Sequence, residues 1–169
     1  MCSSDLLQGI AAIAAALPGS DALQRLEYAH RYPGQVLQYR DMRDSQGALF
    51  ALEHGYGDCT EYAALFVALA RDLGFPARLT AEFNVPGDEP RTYGWPNHHA
   101  AEVLVGGRWI PADPNLAAAP DSLYGFGFGA AHKIVLKREG AWTWGNWYPG
   151  SPARPEVEVE WLVQPLVSR

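Results

Sequence analysis

Apolar residues recur along this chain in two rhythms. Up to about residue 75 they come at intervals of three and four, the spacing that gathers them on one face of a helix. Residues 5 to 17, rich in Ala, Leu and Ile, predict a helix closed by Pro18-Gly19. A second helix starts from a Ser20 or Asp21 cap, carries Leu23, Leu26 and Tyr28, and stops at Pro33-Gly34. Val36 to Arg40 reads as a short extended segment. Asp44 or Ser45 then caps a third helix with Leu49, Phe50 and Leu52, and Gly55 and Gly57 break the chain. The clearest element is Cys59 to Leu73, where Tyr62, Phe66, Val67, Ala70 and Leu73 form one buried stripe; Gly74 caps it and Pro76 marks the stop.

Beyond this helix the apolar residues fall in short runs: Ala77 to Val85, His99 to Val105, Arg108 to Ala112, Lys133 to Leu136 and Glu156 to Val163. The last contains Val157-Glu158-Val159-Glu160-Trp161, the alternation of a half-exposed strand. Gly106-Gly107 is a two-residue hairpin signal between two of the runs. Helices first and strands afterwards predict an α+β domain whose N-terminal helices pack on a mainly antiparallel sheet. The expected organisation is one domain over residues 1–169, helical to about 75 and sheet from about 76 to 165. Three loops interrupt the second half: Pro86 to Pro96, Asn115 to Ser122, and Tyr124-Gly125-Phe126-Gly127-Phe128-Gly129. The Gly-rich stretch neither follows a clear strand nor opens a helix with a Lys, so it reads as an aromatic-lined loop beside a cleft rather than a phosphate cradle.

With 48% hydrophobic and 19% charged residues the chain is globular in composition. A formal net charge of −6 with scattered Lys and Arg lacks the footprint that a phosphate backbone demands, which argues against a nucleic-acid partner. The apolar run from Ile10 to Leu17 is shorter than a membrane span and has no basic segment before it, so neither a transmembrane segment nor a secretion signal is expected. A cytoplasmic protein is the first reading. The alternative is an extracytoplasmic lipoprotein anchored at Cys2, because Met1-Cys2-Ser3-Ser4-Asp5 is how a trimmed lipoprotein would begin.

The two cysteines, Cys2 and Cys59, are both expected to be free, since a bridge to the second residue would tie down little. Cys59 directly follows Gly57-Asp58 at the start of the long helix, where free N–H groups and the helix dipole favour a thiolate. Taken alone it could equally be a small buried apolar residue. The hairpin adds weight. Centred on Gly106-Gly107, it opposes residues whose numbers sum to about 213, which brings His98 to the same open end as Asp113 to Asn115. A histidine beside a carboxylate is what a general base and its orienting group require. The competing reading makes His98-His99 a polar strand start and Asp113-Pro114 a turn.

The block Gly57-Asp58-Cys59-Thr60-Glu61-Tyr62-Ala63-Ala64-Leu65-Phe66, continued by Ala68 to Arg78, closely resembles the cysteine block of the transglutaminase-like superfamily. The hairpin resembles its second block: a histidine, an acid four residues on, a Gly-x-Trp and an Asp-Pro ending. In that pattern Glu102 and Asp113 both point back to His98 rather than His99. The likeness runs over about residues 45 to 115, with Ala100 in place of the usual aromatic and Asn115 in place of the usual Thr or Ser. It implies a papain-like arrangement with Cys59 as nucleophile, His98 as base and acid, and Asp113 as its orienting carboxylate. The implied reaction is acyl transfer through a thioester at an amide or peptide bond of a peptide or protein, with no metal and no cofactor.

Hydrolysis is the favoured outcome; protein-glutamine transamidation and a non-catalytic scaffolding domain of the same fold are the alternatives. The backbone N–H of Cys59 is the first oxyanion donor expected, with Gln38 or Tyr39 as the second. Other residues carry less. Glu61 reads as a complement to the helix dipole and Glu102 as a structural partner, while His30, His54 and His132 are too dispersed to hold a metal. Trp142, Trp144 and Trp147 read as core and cleft lining.

Overall fold

The computed structural model describes residues 3–84, 91–94, 96–117, 125–127, 133–139 and 160–163. Helices α1 (Ser3–Ala16) and α2 (Ala22–Val36) open the chain, followed by a short strand β1 (Gln38–Tyr39), helix α3 (Gly47–His54), strand β2 (Tyr56–Gly57) and helix α4 (Cys59–Asp72). Strands β3 (Ala77–Asn84), β4 (Arg91–Tyr93), β5 (His98–Val105), β6 (Arg108–Ala112), β7 (Lys133–Arg138) and β8 (Trp161–Val163) follow among the described residues, with a 3₁₀ turn at Pro114–Leu116. Among the described residues no helix is long and apolar enough to cross a membrane.

Asp21 caps α2 as expected, its Oδ1 accepting the Gln24 N–H at 2.9 Å. The predicted stop at Pro33-Gly34 is wrong, because the helix runs through both residues to Val36. Proline in a helix forfeits one hydrogen bond and crowds the carbonyl four residues back. Packing overrides that cost here: the end of α2 lies against the 3₁₀ turn, and Gly34 sits where a Cβ would stand 3.0 Å from the Ala117 carbonyl oxygen. The predicted cap of α3 is also wrong. Neither Asp44 nor Ser45 caps it; the Glu61 carboxylate, arriving from α4, accepts the N–H groups of Gln46 at 2.7 Å and Gly47 at 3.1 Å.

The main sheet has the order β6-β5-β3-β7 with every neighbour antiparallel. The hairpin register agrees with the sequence expectation, pairing Ala101 with Ala112, Glu102 with Pro111 and Val103 with Ile110. Pairing of β1 with β2 is parallel. The stretch read as a loop from Pro86 to Pro96 contains β4, which pairs with β8 outside the main sheet; three residues bounded by turn formers carry no period to betray a strand. The expected loop from Asn115 begins instead with the 3₁₀ turn. The expected strand start at Glu156, together with Cys2, His132 and the three tryptophans, lies outside the described residues.

Helix α4 is the centre of the packing. Its buried Leu65, Phe66, Leu69 and Ala70 fill the space between the sheet, through Ala101 and Val103, and the other helices, through Ala14, Leu26 and Ala29. Burial of the Leu and Phe side chains contributes about 1.5–3 kcal/mol each. The consequence for the site is positional: the N-terminus of α4 and the open end of the β5–β6 hairpin are held by one core.

Candidate active site

The start of α4 is fixed by two carboxylates. Asp58 is in extended conformation and its Oδ1 accepts the Thr60 N–H at 2.8 Å, while Glu61 Oε2 accepts the Asp58 N–H at 3.2 Å. Glu61 is fully buried, so its role exceeds the dipole complement expected from sequence: it joins the Asp58 backbone to the entry of α3. The preceding residue must be glycine, since a Cβ on Gly57 would stand 2.3 Å from the Glu61 Cβ. Cys59 is thereby presented from the first turn as a free, half-buried thiol.

His98, the first residue of β5, turns its Nε2 to Asp113, whose Oδ2 accepts at 2.7 Å. That leaves Nδ1 for the thiol, with which the ring is hydrogen bonded. Cys59 also receives hydrogen bonds from the ring and the backbone N–H of His99, a neighbour that sequence reasoning set aside. Burial alone would push the thiol up, but the hydrogen bonds from His98 and His99 and the His98 charge outweigh it and bring Cys59 down to about 6. Burial would likewise lower His98, yet its hydrogen bonds to Asp113 and Cys59 and the Asp113 charge raise it to about 9, with Lys133 acting against them. Asp113 is itself buried, which would raise it, but His98 and Lys133 hold it below the ordinary carboxylate range. Between about 6 and about 9 the pair is therefore thiolate and imidazolium.

Asp113 is anchored by the Gly-rich stretch. Its N–H donates to the Gly125 carbonyl at 2.8 Å, and the Gly127 N–H donates to the Pro111 carbonyl at 2.9 Å, so residues 125–127 extend the edge of β6. Gly125 has φ of +83° and a Cβ there would stand 2.8 Å from the Asp113 carbonyl oxygen, which only glycine allows. Phe126 from the same stretch packs on the ring of buried His30.

The two proposed oxyanion partners separate. Gln38 turns its amide oxygen to the Arg40 guanidinium at 2.9 Å. Tyr39 lies close enough to Cys59 to feel its charge; burial first, then the anions of Cys59, Asp41 and Asp58, and a hydrogen bond to the Asp41 side chain push its phenol up. Tyr39 also lines a cavity of about 410 Å³ together with Gly34, Tyr62 and Asn115. Asn115 is one of the two departures from the resembled pattern; the other, Ala100, is buried opposite Thr80.

Glu102 is structural, as expected. Arg78 and Arg138 both donate to it, at 2.8 Å and 2.9 Å in their shortest contacts. His54 stacks on the Phe50 ring. Sequence reasoning missed Lys133 and Glu82. Lys133 donates to Asp113 Oδ2 and approaches Glu82 Oε2 at 3.7 Å. Lys133 is twenty residues beyond Asp113 and comes from β7, with β5 and β3 between it and β6, so no local spacing announces the contact.

The model of the transglutaminase-like superfamily matches residues 9–114, which contain Cys59, His98 and Asp113. The chain belongs to this superfamily. The match takes in α2, α3 and the whole of α4 as well as the hairpin, so it reaches beyond the two blocks that carry the sequence resemblance. Among solved structures, a presumed cysteine protease from Cytophaga hutchinsonii is similar at a TM-score of 0.50 and 22% identity, over 80% of this chain and 47% of that one. A presumed protease from Parabacteroides distasonis is similar at a TM-score of 0.47 and 13% identity, over 63% of this chain and 24% of that one. This transglutaminase-like chain thus spans about half the length of the first and a quarter of the second. No curated protein matches it significantly. The mixed fold, with its antiparallel sheet behind a cysteine-bearing helix, agrees with the α+β expectation.

Proposed function

We propose that this transglutaminase-like protein is a cysteine-dependent amide hydrolase acting on a peptide or protein. The observation that carries the reading is the chain of contacts Cys59–His98–Asp113, in which one ring nitrogen meets the thiol and the other meets a buried carboxylate at 2.7 Å. In this reading the Cys59 thiolate attacks the carbonyl carbon, and the C=O electron pair moves to oxygen. On the same reading that oxyanion is received by the Cys59 backbone N–H and the Tyr39 hydroxyl, Tyr39 being favoured over Gln38 because its phenol senses the Cys59 charge. As the C–N bond breaks, the imidazolium of His98 gives its proton to the leaving amine and a thioester remains. Neutral His98 then takes a proton from water, hydroxide adds to the thioester, and collapse releases the acid and regenerates the thiolate–imidazolium pair. Asp113 keeps the proton on Nε2 and supports the ring charge throughout.

Water is favoured over an amine as acceptor because Tyr39 is 49% exposed and Cys59 only half-buried, so solvent reaches the thioester. The test is mass spectrometry of a peptide library incubated with the protein and a primary-amine probe. Peptide acids formed by the wild type and not by Cys59→Ala are the expected result. Amine adducts in their place would make transamidation the reaction, and no turnover of either kind would leave a binding role for the same fold.

A further inference from the structure

Lys133 opens β7 with a side chain only 9% exposed. A lysine so deeply placed must be paired, since an isolated buried ammonium costs several kcal/mol. Its Nζ donates to Asp113 Oδ2, the oxygen that also accepts the His98 Nε2–H. The same Nζ lies 3.7 Å from Glu82 Oε2. Glu82 is buried, accepts the Thr80 hydroxyl at 2.7 Å, and is the direct cross-strand neighbour of His98. The β3–β7 register shifts between Ala81 and Glu82, at the residue whose carboxylate meets the lysine.

Six charged or titratable groups from five strands, helices and turns therefore converge: Cys59 from α4, His98 and His99 from β5, Glu82 from β3, Asp113 after β6 and Lys133 from β7. Two carboxylates share this buried space, and Lys133 stands between them. Its charge offsets theirs, so that the imidazolium does not face two uncompensated anions in a buried space. Among the described residues Asp113 Oδ1 meets no hydrogen-bond donor, so the carboxylate is oriented through Oδ2, where both cations meet it.

We propose that Lys133 is a positioning residue for the reaction: bridging Asp113 and Glu82, it holds Asp113 turned to His98 and offsets enough negative field for the imidazolium to release its proton. The inference rests on the proposed catalytic use of Cys59, His98 and Asp113. Its own prediction is electrostatic and has opposite signs for two substitutions. Removing the lysine charge favours the imidazolium, whereas removing the Glu82 charge disfavours it.

The test is an NMR titration of the His98 ring nitrogens, which needs no substrate. The wild type is expected to titrate at about 9. Lys133→Met should raise that midpoint by about one pH unit, the lower end of what a neighbouring charge does; Glu82→Gln should lower it, and Lys133→Arg should leave it in place. A wild-type midpoint near 9 that neither Lys133→Met nor Glu82→Gln moves would overturn the role of Lys133 alone. If Lys133→Met does not fold, an unmoved midpoint in Glu82→Gln overturns it equally. A wild-type midpoint at the ordinary histidine value would instead contradict the thiolate–imidazolium pair on which the proposed function stands.

Discussion

Replacing Glu61 by alanine removes the acceptor for three backbone N–H groups, those of Gln46, Gly47 and Asp58, at 2.7, 3.1 and 3.2 Å. A hydrogen bond to a charged group contributes about 1.5–3 kcal/mol net, and a buried donor left alone costs about 1–3 kcal/mol. The three are not additive, because they share one carboxylate and water can enter the space once the side chain is gone. A loss of about 3 kcal/mol follows. With a urea m-value of roughly 2 kcal/mol/M for a chain of this size, the midpoint of unfolding should fall by about 1.5 M without a change in slope. Glu61→Gln keeps one carbonyl oxygen for Gln46 and Gly47 but turns an NH₂ toward the Asp58 N–H, and should lose about half as much. A midpoint shift in Glu61→Ala below about 0.3 M, corresponding to well under 1 kcal/mol, would refute the idea that this carboxylate organises the approach to Cys59.

Three further outcomes follow from the contacts around the site. Gly125→Ala should displace Asp113 through the 2.8 Å clash at its carbonyl, and so abolish the low-pH reactivity of Cys59 toward iodoacetamide while the protein still folds by circular dichroism. Tyr39→Phe should cut turnover by about a hundredfold, the scale of one lost oxyanion donor, and leave the alkylation of Cys59 unchanged; equal losses in both would argue against a hydroxyl role. Glu102→Gln should cost about 1–2 kcal/mol at neutral pH. Burial would raise the Glu102 carboxyl, but Arg138 and Arg78 outweigh it and lower it, so its contribution is present above the ordinary carboxylate range and lost as pH falls through the depressed value. The stability difference between wild type and Glu102→Gln, measured by urea unfolding, should therefore vanish in acid.

What could be read from the sequence was what is local or symmetric. The hairpin register followed from Gly106-Gly107 and the two-residue turn it dictates, so the approach of His98 to Asp113 was fixed before any long-range packing was known. The stripe of α4 and its Gly74 stop were legible for the same reason. What was hidden depends on contacts between distant segments. Pro33 continues a helix because Gly34 meets the turn after Asp113. Glu61 caps a helix fourteen residues earlier, where Asp44 and Ser45 offered a local cap that went unused. Gly125 supports Asp113 through its backbone, which no side-chain motif records. Lys133 reaches Asp113 from β7, with two strands between it and β6 in the sheet, a contact that no local pattern records.

The most direct test of the central claim is the pH dependence of Cys59 alkylation by iodoacetamide in a Cys2→Ser background, for the parent protein and for His98→Ala and His99→Ala. The account predicts a reactive thiolate that appears at about pH 6, is lost toward ordinary thiol behaviour in His98→Ala, and is weakened but retained in His99→Ala. A parent thiol that reacts only near its ordinary pH, or a thiolate that depends on His99 and not on His98, would contradict it.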